Sequence, residues 1–438
     1  MKVKAVDYAH DGRGVVKTGK DLVFVPNLMI GEEAEITITS NKKNYSIGEV
    51  KNYLSLSKER VTPPCMYYQQ CGGCQLQHMS YDHQLNMKQK RVSDALKHIA
   101  KLYVPVDDII KSNSPFQYRN KIQMAFANTK EGLIAGFYQA KTKKVLNINT
   151  CLIEHEEGNH VIQTLKTLLD SYHIKAYDPI TKNGWIKHAV VKKGIHTNEL
   201  MLIIISQSEG FKKQVQIISA LIQKHPNIKT IIHQVNPSMY KVIGDTDHVI
   251  YGDGFIHDTL GEFTFKIRPQ SFYQVNPPQA KKLYDLALDL AKINKQDTVL
   301  DAYSGVGTIS LFAAKKAKHV TGVELIEDAV FDANYNATIN QIDNVKFVCD
   351  DAETFMASNQ VHFDIVIVDP PRDGLKPSFI DAIKLMKPKK MVYISCEPSS
   401  LARDLKQLKT LFNVKKVVPV DMFSQTFHVE TVTLLELK

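Results

Sequence analysis

The chain has 438 residues, of which 44% are hydrophobic, and carries a formal net charge of +9. This length predicts two or three domains with a sizeable apolar core. No apolar run is long enough to cross a bilayer, and the N-terminus lacks the charged-then-apolar pattern of a signal peptide. We therefore expect a cytoplasmic protein. The mild positive charge favours an anionic partner, although many solvated surfaces carry a similar excess.

Residues 1–58 have the pattern of a small all-β unit. Short β-rich runs alternate with glycine-containing turns, which predicts a small barrel of the OB-like kind. From the residues alone, a barrel that binds nucleic acid and a structural or protein-binding barrel are equally supported. The runs and turns are Val3 to Asp7, Leu22 to Pro26, Glu35 to Thr39 and Ser46 to Tyr53, with turns at Asp11 to Gly14 and Thr18 to Lys20.

Residues 59–265 predict an α+β middle domain. An amphipathic helix is expected over Tyr81 to Ile99, and strand-like segments broken by two helical stretches follow from about residue 110. We expect the helical part near residues 76–107 to pack on the third domain.

Residues 266–438 predict a Rossmann-like α/β domain. Helices alternate there with short apolar strands, which is typical of a parallel sheet covered on both faces. Such a sheet binds its ligand at the carboxyl ends of its strands. The predicted strands are Thr298 to Asp301, His319 to Val323, Val345 to Val348, Phe363 to Val368 and Met391 to Ser395.

The first of these strands ends at Asp301 and enters a turn with two glycines, Gly305 and Gly307, before a helix. Such a turn lets the backbone approach a ligand at a helix N-terminus. NAD is a competing ligand, but its fingerprint requires a further glycine or alanine where Ser310 stands.

Three acids follow successive strands: Asp301, Glu324 and Asp351. Each alone is better explained as a helix cap or loop residue. A carboxylate at the position of Glu324 can accept hydrogen bonds from the ribose hydroxyls of an adenosyl group. Because the acids occur in this order, we expect S-adenosylmethionine rather than NAD.

The fourth strand ends in Asp369-Pro370-Pro371-Arg372. This tetrad resembles the acid-Pro-Pro-aromatic motif of methyltransferases that modify exocyclic amines. Since Arg372 replaces the aromatic residue, the motif favours methyl transfer but argues against an amine target.

Cys396 follows an apolar strand and precedes a predicted helix N-terminus, a position that lowers a thiol pKa. A buried structural cysteine is the alternative. Further on, Glu430 interrupts an otherwise apolar stretch. Methylation of uracil at carbon 5 requires a thiolate that adds to carbon 6 and a base that then removes the carbon 5 proton. An amine methyltransferase would leave Cys396 unexplained.

Together these segments resemble the bacterial RNA (uracil-5-)-methyltransferases, which act on 23S ribosomal RNA and on the tRNA T-loop. The motifs that carry the resemblance are Ser271-Phe272-Tyr273-Gln274-Val275-Asn276, Asp301 to Gly307, Asp369 to Arg372, Ser395-Cys396-Glu397-Pro398, Leu401-Ala402-Arg403-Asp404, and Asp421-Met422-Phe423 through His428-Val429-Glu430-Thr431.

The resemblance implies a role for each matched residue. Cys396 would be the nucleophile and Glu430 the base. The implied contacts of the methyl donor are Gln274, Tyr303, Glu324 and Asp369, with Asp351 as a further candidate. Asp369 would also face the reacting base. Two positions depart from the common pattern, because Glu397 stands where many relatives have Asn and Tyr303 where others have Phe.

Of the six cysteines, three are closely spaced and a fourth lies far along the chain, at Cys65, Cys71, Cys74 and Cys151. This is a metal-ligand pattern, since a reducing cytoplasm disfavours disulfides. Spacing alone does not separate tetrahedral zinc from an iron–sulfur cluster. The family resemblance implies a 4Fe–4S cluster with a structural role. Cys349 has no partner and is expected to pack in the core.

The resemblance also implies that the N-terminal barrel is a TRAM RNA-binding module and that Arg119 and Lys121 lie near the RNA. We expect 23S ribosomal RNA as the substrate, because relatives with both the TRAM module and the four cysteines mostly act there. A tRNA T-loop uridine is the alternative, followed by a non-catalytic RNA-binding or assembly protein. We expect a monomer without an obligate protein partner and without a membrane association.

Overall fold

The structure is a computed structural model that describes residues 1–19, 21–238, 242–244, 246–358 and 362–438. Lys20, in the second turn predicted for the N-terminal unit, lies outside the described residues. Within these ranges no helix combines the length and apolarity that a bilayer crossing requires.

The N-terminal region folds into a closed barrel of five strands in its described part, in the order β1-β2-β3-β5-β4. Alternate side chains of β1 point inward, and small aliphatic residues such as Val16, Val25 and Ile36 fill the interior. The closed all-β architecture was predicted. The strands are β1 (Lys2–Tyr8), β2 (Gly14–Thr18), β3 (Asp21–Val25), β4 (Glu33–Asn41) and β5 (Ser46–Ser55).

Helix α1 (Tyr81–Ala95) follows a loop and starts at Ser80, whose hydroxyl accepts a hydrogen bond from the backbone N–H of His83. A π-helical turn, Leu96–Ala100, continues it and ends at Lys101, which has a positive φ of 53°. The side chains of Val92, Leu96 and Ala100 pack in one core cluster with residues of the C-terminal domain. Helix α1 is thereby attached to that domain.

The middle region contains a sheet of six described strands in the order β11-β10-β9-β8-β6-β7. Strands β9 and β10 run parallel, and the other neighbours are antiparallel. The helices α2 and α3 cover one face. The bounds are β6 (Lys121–Thr129), β7 (Gly132–Gly136), α2 (Glu156–Ser171), β8 (Ile186–Lys193), β9 (Leu200–Ser206), α3 (Gln214–Lys224), β10 (Ile228–Val235) and β11 (Asp247–Tyr251).

A hairpin of β12 (Ile256–Leu260) and β13 (Phe263–Ile267) links the middle sheet to the C-terminal domain. Its Leu260, Phe263 and Phe265 pack in the C-terminal core, whereas Ile256 and Ile267 pack against the middle sheet. The hairpin is therefore shared between the two cores. The domain boundaries predicted at residues 58 and 265 remain predictions.

In the C-terminal domain the described strands form a seven-stranded sheet in the order β16-β15-β14-β17-β18-β20-β19. All neighbours are parallel except those of β20, which lies antiparallel between β18 and β19. Helices pack on both faces, as predicted for a Rossmann-like fold. The strand order reverses between β14 and β17, and ligands bind at such a switch point.

The helices of this domain are α4 (Pro277–Ala291), α5 (Thr308–Ala314), α6 (Glu327–Ile339), α7 (Ala352–Ser358), α8 (Pro377–Met386) and α9 (Pro398–Leu408). Its strands are β14 (Thr298–Ala302), β15 (His319–Glu324), β16 (Val345–Cys349), β17 (Ile365–Val368), β18 (Lys390–Ser395), β19 (Phe412–Val420) and β20 (Glu430–Leu437). Cys349 ends the edge strand β16 and is exposed, so the prediction that it packs in the core is wrong. An edge strand has a neighbour on one side alone, which leaves its last residue open to solvent.

Candidate active site

The sheet topology brings Cys396 and Glu430 together. Ser395 pairs with Thr431 across the antiparallel strands β18 and β20, so Cys396 leaves one strand where Glu430 begins the other. Asp369 follows β17, the parallel neighbour of β18, at the same edge of the sheet. A thiol and two carboxyl groups that are far apart in the sequence therefore meet at the carboxyl end of the parallel strands.

The pKa of the Cys396 thiol is shifted in the direction opposite to the one expected. Burial, together with the charges of Glu430 and Asp369, raises the pKa of its thiol to about 12, although Arg372 acts in the opposite direction. The predicted lowering of this pKa is therefore wrong. A nearby helix N-terminus favours a thiolate, but desolvation and two carboxyl groups outweigh that effect.

The two carboxyl groups also resist ionisation. Burial raises the pKa of Glu430 well above its ordinary value, with the charge of Asp369 as a second cause, and burial likewise raises the pKa of Asp369. Glu430 is 4% exposed, and its Oε2 atom has no hydrogen-bond partner among the described residues. A buried carboxyl oxygen without a partner is costly, which marks this residue as a candidate functional group.

A cofactor-sized pocket of about 470 Å³ opens beside this group at the switch point of the sheet. Four of the five predicted cofactor residues line it: Tyr303, Glu324, Asp351 and Asp369. Gln274 does not. Its side chain hydrogen-bonds to that of Tyr284, which does line the pocket.

The glycine turn forms the floor of this pocket. Gly305 has a φ of 55° and a Cβ there would meet no protein atom, whereas a Cβ on Gly307 would lie 2.6 Å from the ring of Phe347. Tyr303 also has a positive φ, 70°, which is uncommon for a residue with a side chain. Below the turn, Ser310 donates a hydrogen bond of 2.5 Å to the buried Asp301. The backbone is thus shaped to pass close to a ligand.

Glu324 and Asp351 have different surroundings. Glu324 accepts backbone hydrogen bonds from Gly305 at 3.0 Å and Ile326 at 2.9 Å, which orients its carboxylate in the pocket. Asp351 accepts bonds from the first turn of α7 and pairs with Lys376 at 3.0 Å. It is therefore a helix cap that also lines the pocket.

The pocket fits an adenosyl group in its chemistry. It combines an oriented carboxylate with the apolar side chains of Leu325 and Ile326, which remain 62% and 56% exposed. Phe272, 70% exposed, lines it as well. The places of Leu325 and Ile326 in this pocket could not be predicted, because an apolar pattern does not reveal which side chains stay exposed beside a cavity.

The four predicted metal-ligand cysteines line a second cavity of about 410 Å³. Burial raises the pKa of Cys74 to about 12 and also raises that of Cys71. All four are free thiols. Arg372 and His428 line the same cavity, so it reaches towards the catalytic edge of the sheet.

The sequence leaves two metal centres open for these thiols, a zinc ion and an iron–sulfur cluster. A single tetrahedral zinc requires its sulfur ligands at about 2.3 Å from one point. In the described part of the chain, no three side chains of Cys, His, Asp or Glu converge closely enough to hold one ion. The four thiols nevertheless line one cavity, and an iron–sulfur cluster, whose cysteine ligands bind different metal atoms, stays a prediction.

Arg119 lines the cysteine cavity and pairs with the buried Glu154 at 3.1 Å. Lys121, two residues further on, lines a separate small cavity together with Phe272. These two basic residues, predicted to lie near the RNA, thus border the cysteine cavity and the region beside the cofactor pocket.

A doubly wound sheet with a cofactor pocket at its switch point, and a thiol facing a buried carboxyl group, define an α/β enzyme that uses a nucleotide-type cofactor. Residues 80–438 match the tRNA (uracil-5-)-methyltransferase family. The chain belongs to this family of S-adenosylmethionine-dependent RNA methyltransferases. The predicted enzyme class is thereby confirmed.

Similar proteins extend the comparison over the whole chain. An uncharacterized RNA methyltransferase of Halalkalibacterium halodurans is 43% identical over 444 residues, covering 100% of this chain and 97% of that protein. One from Staphylococcus aureus is 39% identical, covering 99% and 97%. The structure of a tRNA (uracil-54, C5)-methyltransferase of Pyrococcus abyssi in complex with S-adenosyl-L-homocysteine has a TM-score of 0.81 and 28% identity, covering 99% of this chain and 100% of that one.

Proposed function

We propose that the protein methylates carbon 5 of a uridine in 23S ribosomal RNA through a covalent adduct between Cys396 and carbon 6 of the base. The observation that carries this proposal is the placement of Cys396 opposite Glu430 at the ends of β18 and β20. A uracil needs both groups, because carbon 5 becomes nucleophilic when a thiolate adds to carbon 6. An amine target would need neither.

The steps follow from these groups. The Cys396 thiolate forms a bond to carbon 6, and the electrons of the ring double bond move into an enolate. Carbon 5 of the enolate then takes the methyl group from the donor's sulfonium sulfur, and the electrons of the broken sulfur–methyl bond stay on sulfur in the leaving S-adenosyl-L-homocysteine. The Glu430 carboxylate removes the proton left on carbon 5, and the electrons of that C–H bond reform the double bond and expel the thiolate. The uridine must leave its stack to reach Cys396, so base flipping is expected.

The methyl donor, S-adenosylmethionine, supplies an electrophilic methyl group and a positive charge. Tyr303, Glu324, Asp351 and Asp369 would hold it in the 470 Å³ pocket, with Glu324 directed at the ribose hydroxyls. Gln274 would act indirectly, through its hydrogen bond to Tyr284 in the pocket lining. A positive charge beside Asp369 would act against the carboxyl groups that, after burial, raise the pKa of Cys396, so a filled donor site would favour the thiolate.

The four cysteines would hold a 4Fe–4S cluster, which is supported by the family resemblance and by their lining of one cavity. The cluster would stabilise the loop of Cys65, Cys71 and Cys74 against the distant Cys151. No step of methyl transfer needs it. The five-stranded barrel would be a TRAM-type module that adds contacts with the RNA, and Arg119 and Lys121 would lie near the bound strand.

The choice of RNA has a second candidate. The Pyrococcus abyssi neighbour is a tRNA (uracil-54, C5)-methyltransferase, which favours a T-loop uridine as the alternative target. Our preference for 23S ribosomal RNA depends on the combination of barrel and four cysteines. A non-catalytic RNA-binding role is the weaker alternative, because it leaves both Cys396 and Glu430 without a purpose.

The test uses the full-length protein with unmodified transcripts of 23S ribosomal RNA and of tRNA. Methyl incorporation is followed with a labelled donor, and the product is mapped by nucleoside analysis. We expect 5-methyluridine in the 23S transcript and none after Cys396→Ser, with RNA binding retained. Methylation of the tRNA alone would show that the substrate is a tRNA uridine and not one in 23S RNA. An active Cys396→Ser variant would overturn the mechanism.

A further inference from the structure

Arg91, on helix α1, joins the two segments that carry Cys396 and Glu430. Its Nη2 atom donates hydrogen bonds to both carboxylate oxygens of Glu397 at 2.8 Å, and its Nη1 atom donates to the backbone carbonyl of Phe427 at 3.0 Å. The guanidinium carbon lies 5.6 Å from the centre of the Phe427 ring. The Arg91 side chain is 9% exposed, so solvent competes little with these contacts.

Each contact ends beside a proposed catalytic group. Glu397 follows Cys396 directly and caps α9 by accepting a hydrogen bond from the backbone N–H of Ser399 at 3.2 Å. Phe427 lies three residues before Glu430, in the loop that leads into β20. One guanidinium therefore ties the nucleophile segment to the base segment.

Helix α1 also contacts the segment that leads to Glu430 at another point. Lys88, one turn earlier than Arg91, is fully buried, pairs with Asp421 and donates to the backbone carbonyl of Phe423 at 3.0 Å. The loop between β19 and β20 is thus fixed to α1 at both ends. Arg91 differs from Lys88 because it also contacts the nucleophile side.

We propose that Arg91 is a positioning residue that sets the separation between Cys396 and Glu430. This inference rests on the proposed function, in which the thiolate attacks carbon 6 and the base removes a proton from the adjacent carbon 5. A displacement of about 1 Å in such a pair costs on the order of 10²-fold in rate. A planar guanidinium with several fixed donors is suited to hold two segments at one distance.

The test compares Arg91→Ala, Glu397→Gln and the double variant with Lys90→Ala as the matched control. Lys90 lies on the same helix but is 45% exposed and pairs with Asp7 and Asp94, away from the site. Steady-state methylation of the 23S and tRNA transcripts gives kcat and KM. Covalent adducts are measured with transcripts that contain 5-fluorouracil, because fluorine at carbon 5 is not removed as a proton and the adduct persists.

We expect kcat to fall about 10- to 100-fold in both single variants with KM for the RNA unchanged. The rate of adduct formation with 5-fluorouracil RNA should fall as well, since Cys396 is displaced. The kcat of the double variant should be no lower than that of the less active single variant, because both substitutions break the same link. Lys90→Ala should behave as wild type.

Three outcomes would overturn the proposal: wild-type kcat in both single variants, multiplied effects in the double variant, or a change in KM alone. If Arg91→Ala fails to fold, Glu397→Gln still tests the link, because it removes the charge and keeps the side-chain shape. Failure of the proposed function looks different, since wild-type protein would then form no adduct with 5-fluorouracil RNA.

Discussion

Lys88 and Asp421 form a fully buried ion pair between helix α1 and the loop that precedes Glu430. Tyr81 donates to the same carboxylate at 2.7 Å and Ser424 at 2.5 Å, so every charge in the cluster has a partner. The pair connects residues 333 positions apart in the sequence. It attaches α1 to the C-terminal domain independently of the apolar contacts of Val92 and Leu96.

Removing one member of this pair should destabilise the protein strongly. Lys88→Met leaves the Asp421 charge buried without its counterion, and we expect a loss of about 3–5 kcal/mol in the free energy of unfolding. Urea unfolding measures it. Lys90→Met is the control on the same helix and should change little, because its ion pairs are exposed. Equal effects of the two variants would contradict the buried-pair account.

Glu430→Gln should trap the enzyme on its substrate. Without a base the carbon 5 proton stays in place after methyl transfer, so Cys396 is not released. We expect an RNA–protein band on a denaturing gel that requires both the methyl donor and Cys396. The double variant Cys396→Ser with Glu430→Gln should show no band. Normal turnover by Glu430→Gln would mean that another group acts as the base.

The reactivity of Cys396 should depend on the charge in the cofactor pocket. Because the pKa of the thiol is raised to about 12 in the free protein, iodoacetamide should label it slowly at pH 8. Sinefungin, which carries an amine cation where the methyl donor carries a sulfonium, should accelerate labelling. S-adenosyl-L-homocysteine, which lacks that charge, should not. Peptide mass spectrometry separates Cys396 from the other thiols, and equal effects of the two ligands would disprove the electrostatic cause.

Asp301 should make the free energy of unfolding decrease as the pH rises. Burial raises its pKa from 3.8 to about 7, so its contribution is present below pH 3.8 and is lost as the pH rises through 7. Asp301→Asn should therefore be more stable than wild type at pH 8, and this advantage should be clearly smaller at pH 5.

The control for this experiment is Asp364→Asn. Lys389 and Thr298 lower the pKa of Asp364 to about 2, so its contribution is fully present above pH 3.8. The substitution should destabilise the protein to the same extent at pH 5 and pH 8. Urea midpoints at the two pH values decide both cases. A constant difference between Asp301→Asn and wild type would contradict the assignment.

Metal analysis should distinguish the two candidate centres. Protein purified without oxygen should contain about four irons and as many acid-labile sulfides per chain if a 4Fe–4S cluster is bound. Cys151→Ser should lower both, although Cys151 lies about eighty residues from the other ligands. Cys349→Ser should change neither, since that thiol is exposed elsewhere. A content of one zinc per chain without sulfide would identify the centre as a zinc site and not as a cluster.

Much of the fold could be predicted from local patterns. The closed barrel, the helix from Tyr81 and the doubly wound C-terminal domain follow from hydrophobic periodicity, which depends on neighbours close in the sequence. The antiparallel placement of β20 between β18 and β19 was not visible, because strand order depends on contacts across the whole domain. The same limit applies to the hairpin of Ile256–Ile267, whose two faces serve two different cores.

The sequence by itself determined the chemistry that Cys396 and Glu430 can perform, since a thiol and a carboxyl group keep their intrinsic reactivity wherever they stand. The tertiary structure decided that they face each other across β18 and β20, and that burial and neighbouring carboxyl groups raise the pKa of the thiol. A pKa depends on burial and on charges from distant segments, here Asp369, Glu430 and Arg372. For the same reason the contact of Arg91 with both segments could be found only after the chain had folded.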